Sequence, residues 1–403
     1  MKKSMIVAAM LAMVATGANA KSATDSAAIA KNKPVFTVVK QNPITSIKDQ
    51  NRSGTCWAYS TLSYFESEIL KHTGKTYDLS EMFVANKTYM DRATMAVRMH
   101  GDVSFSQGGS AYDVLYALQH YGIVPEGAMP APGTLTGDSL ANFGEFFDVM
   151  TPYVEAVAKS NAKKISSAWK SGLQGIIDSY IGKTPEKFTY QGKQYTPQSF
   201  CQSLGLNLDD YVTITSYTHH PMWSKFAVEV QDNWRWPLSY NVPMDDLCKI
   251  IDNAINNGYT IAWGGDVTED GFTRKGLGIA YDVKKVRSMA GTDADHWFKL
   301  SKDEKKEKFD SLGVNAPEVV PTQAMRQEAF DNWETTDDHG MHIYGIAKDQ
   351  NGKEYYMVKN SWGEYGDYKG TWYMTKAFVA YKTMDFMVNK NAIPKDIRKK
   401  LGI

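Results

Sequence analysis

The chain has 403 residues, 43% hydrophobic and 22% charged, with 45 acidic and 45 basic side chains and a formal net charge of zero. That composition excludes a disordered or fibrous chain, and the lack of a basic surplus argues against nucleic acid as a partner, because phosphate binding needs excess Lys and Arg. The length allows two or three domains of roughly 150 residues, or one elaborated domain.

The chain opens with Lys2-Lys3, an apolar run from Met5 to Val14 and then Ala18-Asn19-Ala20. This is the charged, apolar and small-residue order of a secretory leader, with cleavage expected near Ala20. The apolar run is shorter than the ~20 residues that span a bilayer, so no stable membrane insertion is expected. The mature protein is expected to be exported, to a periplasm or the extracellular space. Three cysteines are an odd number for such a protein, so at least one thiol is unpaired within the chain.

Residues 21–42 read as a flexible lead-in. From Cys56, the spacing of Ala58, Leu62, Phe65 and Ile69 predicts an amphipathic helix that stops at Gly74. A second helix is predicted from the cap residue Ser80 to about Met99, and a third after Gly108-Gly109, running to Tyr121-Gly122. Residues 138–180 look helical again. From Tyr211 onward the texture changes to short β-branched and aromatic runs: 212–217, 259–263, 343–347, 355–358 and 371–375. Lys302 to Lys308 reads as a solvated helix. A helical lobe followed by a β-rich lobe makes the expected class α+β, with a cleft between the lobes.

A helix N-terminus favours a thiolate through its unpaired N–H groups, and Cys56 sits at one, although a free Cys is more often a small buried hydrophobe. The surrounding Gln50-Asn51-Arg52-Ser53-Gly54-Thr55-Cys56-Trp57 resembles the nucleophile motif of the papain superfamily of cysteine peptidases. Ser53 and Thr55 depart from the usual spelling. The C-terminal half carries Asp338-His339-Gly340-Met341-His342-Ile343-Tyr344-Gly345 and Lys359-Asn360-Ser361-Trp362-Gly363, which resemble that family's histidine strand and its Asn-Ser-Trp-Gly element. The resemblance implies a papain-like two-lobe fold, with a helical lobe and a β-barrel-like lobe. It also implies Cys56 as nucleophile, His339 as base, Asn360 as the residue orienting that base, and Gln50 as a donor to the oxyanion. Gly108 and Gly109 resemble the glycine pair that binds the substrate backbone, and Trp362 and Asp338 join them as candidate substrate-side residues. His342 competes with His339, but strand alternation points it to the opposite face.

Cys56 and His339 are about 280 residues apart, against ~130–150 in compact relatives, so an insertion is expected. The pattern is similar to the bleomycin hydrolase and aminopeptidase C branch. The expected domains are a leader over 1–20, the lead-in over 21–42 and a peptidase domain over 43–403. Within the last we expect a helical lobe at about 50–130, a helical insertion at about 131–205, a β-rich lobe at about 206–385 and a tail at about 386–403. In that branch the C-terminal carboxylate enters the cleft and meets the substrate's amino group, and relatives form hexamers. Those features imply an aminopeptidase acting on peptide substrates, possible homo-oligomers and no cofactor.

Three rivals stay open: an endopeptidase with an open cleft, an inactive exported binding protein on a peptidase scaffold, and a cell-wall amidase. No metal is expected: His219-His220 are adjacent, their side chains diverge, and no third ligand is apparent in the sequence. Whether Cys201 and Cys248 pair is open as well.

Overall fold

The computed structural model describes residues 33–133, 140–289 and 299–403. The leader expected over 1–20 lies outside the described residues, as do the start of the lead-in and a short part of the expected insertion. In chain order the first elements are β1 (Thr37–Gln41), α1 (Cys56–Thr73), α2 (Glu81–Arg98), α3 (Ala111–His120), α4 (Gly144–Ala158) and α5 (Ala168–Ile181). They are followed by β2 (Phe188–Tyr190), β3 (Lys193–Tyr195), α6 (Pro197–Ser203), β4 (Tyr211–Thr215), β5 (Lys225–Phe226), β6 (Ser239–Asn241) and α7 (Met244–Asn256). Next come β7 (Ile261–Gly265), β8 (Phe272–Thr273), β9 (Leu277–Gly278), α8 (Val283–Met289), α9 (Lys302–Leu312) and α10 (Gln323–Asp331). The chain ends with β10 (His339–Lys348), β11 (Glu354–Lys359), β12 (Thr371–Thr375), α11 (Lys376–Lys382), β13 (Thr383–Asn389) and α12 (Lys395–Leu401).

The architecture is α+β, with α1 to α5 around one apolar core and an eleven-stranded sheet around another. The sheet is open and not a closed barrel. Its order runs β5-β6-β4-β13-β7-β10-β11-β12-β9-β8, and the two-residue strands at its ends do not pair with each other. The stretch expected as a lead-in contributes β1, which pairs antiparallel with β10 from Thr37↔Lys348 to Gln41↔Gly345. The stretch expected as a tail begins inside the sheet, because β13 lies between β4 and β7. Nor is the insertion wholly helical, since β2 and β3 form a hairpin within it.

Helix α1 was expected to bury one face, yet every residue from Trp57 to Ile69 is buried. The reason is its place between the lobes: one side meets α2 and α3 and the other meets β7 and β10. Leu62, Phe65 and Ile69 are fully enclosed, each contributing about 1.5–3 kcal/mol of burial. The helix stops where Gly74 takes a left-handed φ of 70° and its N–H bonds the Leu70 carbonyl at 2.9 Å.

Complete burial leaves the polar residues of α1 dependent on protein partners. Glu66 accepts from Thr45 Oγ1 at 2.5 Å, from Lys48 Nζ at 3.1 Å and from the Leu79 N–H at 2.9 Å. Lys48 also pairs with Glu81 of α2 at 2.8 Å and Asp78 at 2.7 Å, while Lys359 of β11 donates to Thr45 at 3.1 Å. Burial works against the charge on Lys48, but Glu81, Glu66 and Asp78 outweigh it and hold Lys48 well above the usual lysine range. This cluster ties the entry segment, α1, α2 and the sheet together. Lys48→Met strands two buried carboxylates, so we expect it to lower stability by about 3–5 kcal/mol in urea unfolding monitored by circular dichroism.

Candidate active site

In the first turn of α1 the Ala58 N–H bonds the Thr55 carbonyl at 2.9 Å, the Cys56 and Trp57 N–H groups stand ahead of the helical ladder, and Thr55, the N-cap residue, makes no side-chain cap bond to them. The Thr55 hydroxyl is instead 2.5 Å from Ser53 Oγ, and Ser53 Oγ donates to the Gln50 carbonyl at 2.7 Å. Cys56 therefore stands at an uncapped, electropositive helix end. It lines a cavity of about 260 Å³ together with His339, Gly340, Gly108, Gly109, Asp232 and Asp337.

His339 is the first residue of β10, where the strand pairs with Gly265 of β7 across from α1. Its Nε2 lies 2.8 Å from Asn360 Oδ1, which also accepts the Ser361 N–H at 2.8 Å. An oxygen acceptor at Nε2 requires the proton there, leaving Nδ1 as the basic nitrogen. Trp362 packs on the imidazole, with ring centroids 5.0 Å apart and planes at 31°. It is not among the residues lining the cavity, so the structure places it behind His339. His342 is fully buried and its Nδ1 is 2.9 Å from Ser63 Oγ, on a different level of α1 from Cys56.

Burial disfavours both charged forms at this site. It pushes the Cys56 thiol up to about 11, against an opposing pull from the backbone N–H groups of Gly340 and Trp57. It pushes His339 down to about 4, with the Asn360 bond opposing. Burial thus favours the neutral form of each group taken by itself.

Gln50 is buried, but its amide does not line the cavity. Its Nε2 donates to the Ser53 carbonyl at 2.7 Å and its Oε1 accepts from Ser361 Oγ at 2.6 Å. One of the two amide protons is thus committed to the loop. Gly108 and Gly109 do line the cavity, and their size is also demanded by the wall behind them. A Cβ on Gly108 would strike the Asp232 carboxylate, and one on Gly109 would lie 2.8 Å from the Trp57 indole. Asp338 is exposed at the rim. Burial and then the adjacent Asp266 carboxylate raise it to about 6.

Several residues at the site escaped the sequence reading. Gln107 clamps the cysteine loop: its Oε1 accepts the Gly54 N–H at 2.7 Å and its carbonyl accepts Trp57 Nε1 at 3.0 Å. Buried Arg92 donates to the carbonyls of Ser104 at 2.8 Å and Gly108 at 2.6 Å, and to Asp232 at 3.0 Å. Asp232, Asp337 and Asp385 give the cavity an acidic wall. Burial raises Asp337 well above the carboxylate range, with Asp232, Asp385 and Asp338 adding repulsion, and burial raises Asp385 to about 6. The aspartate before Asp338-His339 was a local signal for Asp337, whereas nothing in the sequence ties Asp232 and Asp385 to His339. Cys201 and Cys248 are both free, so they do not pair.

The two lobes, the helix headed by a cysteine between them and the histidine strand facing it define a papain-like architecture. The chain belongs to the Peptidase C1-like family, whose family model matches residues 2–402. It is 23% identical over 397 residues to aminopeptidase G of Lactobacillus delbrueckii subsp. lactis, covering 89% of this chain and 84% of that one. It is 21% identical over 409 residues to bleomycin hydrolase of Rattus norvegicus, covering 90% and 84%. Among solved structures, PepW from Lactobacillus rhamnosis HN001 superposes with a TM-score of 0.68 at 19% identity, covering 94% of this chain and 86% of that one. These relatives place the chain in the aminopeptidase C and bleomycin hydrolase branch of the cysteine peptidases.

A methyl group at position 109 must displace the Trp57 indole and strain its bond to Gln107. Gly109→Ala is therefore expected to cost about 1–3 kcal/mol in denaturant unfolding, with a change in tryptophan fluorescence.

Proposed function

We propose that this protein is an exported cysteine aminopeptidase that releases N-terminal residues from peptides by acyl transfer to Cys56. The observation that carries the reading is one cavity that holds a helix-terminal thiol, an Asn-anchored imidazole and a wall of carboxylates. His339 Nδ1 takes the thiol proton as sulfur attacks the scissile carbonyl carbon. The oxyanion that forms is met by the N–H of Cys56 at the helix end, while Gln50, bonded to Ser53 and Ser361, braces the cysteine loop beside it. His339 then hands its proton to the leaving amine as the C–N bond breaks, giving a thioester and a new N-terminus. Water, deprotonated by His339, attacks the thioester and releases the residue and the thiol. Asn360 keeps the imidazole in the tautomer that allows each transfer.

The aminopeptidase assignment rests on charge. Asp232, Asp337 and Asp385 face the cavity and Arg92 is the buried cation beside them, so a protonated α-amino group relieves repulsion that a neutral, blocked N-terminus does not. Val228, Val230, Trp263 and Met384 supply apolar surface for the side chain beside it. The last described residues do not supply this negative charge. Helix α12 packs on the sheet core with Ile403 against it, and among the described residues lining the cavity none follows Asp385. That same fact favours a second reading, an endopeptidase with an open cleft.

Comparison of free and N-acetylated forms of one peptide separates the two: the aminopeptidase cuts only the free form, and equal cleavage would establish the endopeptidase. Asp337→Asn should raise KM for free-amine substrates about tenfold with kcat little changed, a difference of about 1.4 kcal/mol in amine binding. Cys56→Ser should abolish turnover of aminoacyl fluorogenic substrates. Because His339 acts as a base only when neutral, kcat/KM should fall as the imidazole gains a proton. With burial depressing that pKa to about 4, the acid limb should lie near pH 4 and not near the ordinary ~6.5. Finding the processed chain in a periplasmic or culture-supernatant fraction tests export.

A further inference from the structure

Outside the catalytic cavity, His219, His220 and Glu229 bring two imidazoles and a carboxylate to one point. His219 Nε2 is 3.0 Å from Glu229 Oε2, and His220 Nε2 is 3.0 Å from Glu229 Oε1. One ligand atom from each of the three residues lies within 4.8 Å of the others. Adjacent residues diverge on a strand, but these two follow β4 in a turn, and their rings sit 4.7 Å apart at 62°. The edge of a tetrahedron of nitrogen and oxygen ligands about 2.0–2.1 Å from zinc is roughly 3.3 Å, so the N···O separations already fit such an ion.

The surroundings fix these rings in place. His220 stacks on Phe226 at 4.2 Å and 20°, and His219 stacks on Phe330 at 5.6 Å and 15°. Asn241 Nδ2 donates to the His220 carbonyl at 3.0 Å, holding the turn. Gln327 Oε1 accepts the Thr218 N–H at 2.5 Å, and its Oε1 and Nε2 lie 3.3 and 3.0 Å from His219 Nδ1, so the amide braces the outer edge of that ring while Nε2 faces Glu229. A hydrogen-bonded outer ring nitrogen is the usual support of a metal-binding histidine. The fourth position faces solvent, because His220 and Glu229 are 37% and 55% exposed.

We propose that His219, His220 and Glu229 form a binding site for a divalent transition metal of the zinc type, supported by Gln327. The location gives it a consequence for the cavity. Val228, Val230 and Asp232 line the cavity, while Glu229 between them points outward to the two histidines. A metal held there fastens the back of that wall to the turn after β4.

The test uses the full chain with Cys56→Ser, which removes the active-site thiol as a competing ligand. After chelator treatment and dialysis it is titrated with Zn²⁺ by calorimetry, and with Co²⁺ to read the visible absorption of a tetrahedral ion. We expect one Zn²⁺ per chain, displacement of Co²⁺ by Zn²⁺, and no competition from Mg²⁺ or Ca²⁺, which prefer all-oxygen sites. Glu229→Gln and His220→Ala should each weaken binding at least tenfold, and Gln327→Ala about tenfold, as for other supporting residues. Zn²⁺ should raise the melting temperature of the parent and not that of Glu229→Gln. Absence of saturable binding, or binding unchanged by both Glu229→Gln and His220→Ala, overturns the proposal.

Discussion

The structure depends on the burial of helix α1 between the two lobes. A helix enclosed on all sides has no water for its polar side chains, so Glu66 must find its partners within the protein. Lys48, Thr45 and the Leu79 N–H supply them, and Lys48 in turn satisfies Glu81 at the start of α2. The same helix presents Cys56 at the lobe junction and Trp57 to the cavity wall. Fixing α1 thus fixes the thiol, and β10, packed along the other side of α1, carries His339 to it.

Desolvation of the cavity shapes its chemistry. Enclosure makes a charged thiolate and a charged imidazolium both costly at rest, and it also concentrates the effect of the few oriented dipoles present: the first-turn N–H groups of α1 and the Asn360 carbonyl. The acidic wall follows the same logic. Asp232 and Asp385 repel Asp337 in a space where water screens them poorly, and that holds the Asp337 carboxyl above its usual range. Helix α12 lies on the sheet core, and the carboxylates that line the cavity are those of side chains.

Much of this was legible in the sequence. Local chemistry marked the ends of α1 and α2, since Gly74 and Ser80 act through their own backbone and side chain. The β-branched and aromatic runs became β4, β7, β10, β11 and β12, and the spacing of the histidine motif put His339 and His342 on opposite faces of a strand. What failed depended on contacts distant in sequence. The lead-in became β1 only because β10 offers an edge to pair with, and α1 lost its expected solvent face only because the sheet covers it.

By itself, then, the sequence determined the α+β class, the family, and the order of Cys56, His339 and Asn360, because those signals are carried by short runs with fixed spacing. The tertiary structure decided the rest. It brought Asp232 and Asp385 to the same wall as Asp337, set Arg92 and Gln107 behind the cysteine loop, laid α12 on the sheet core and gave His219 and His220 a third partner in Glu229. Each of these joins residues from separate segments, and only the folding of one lobe against the other brings such segments together.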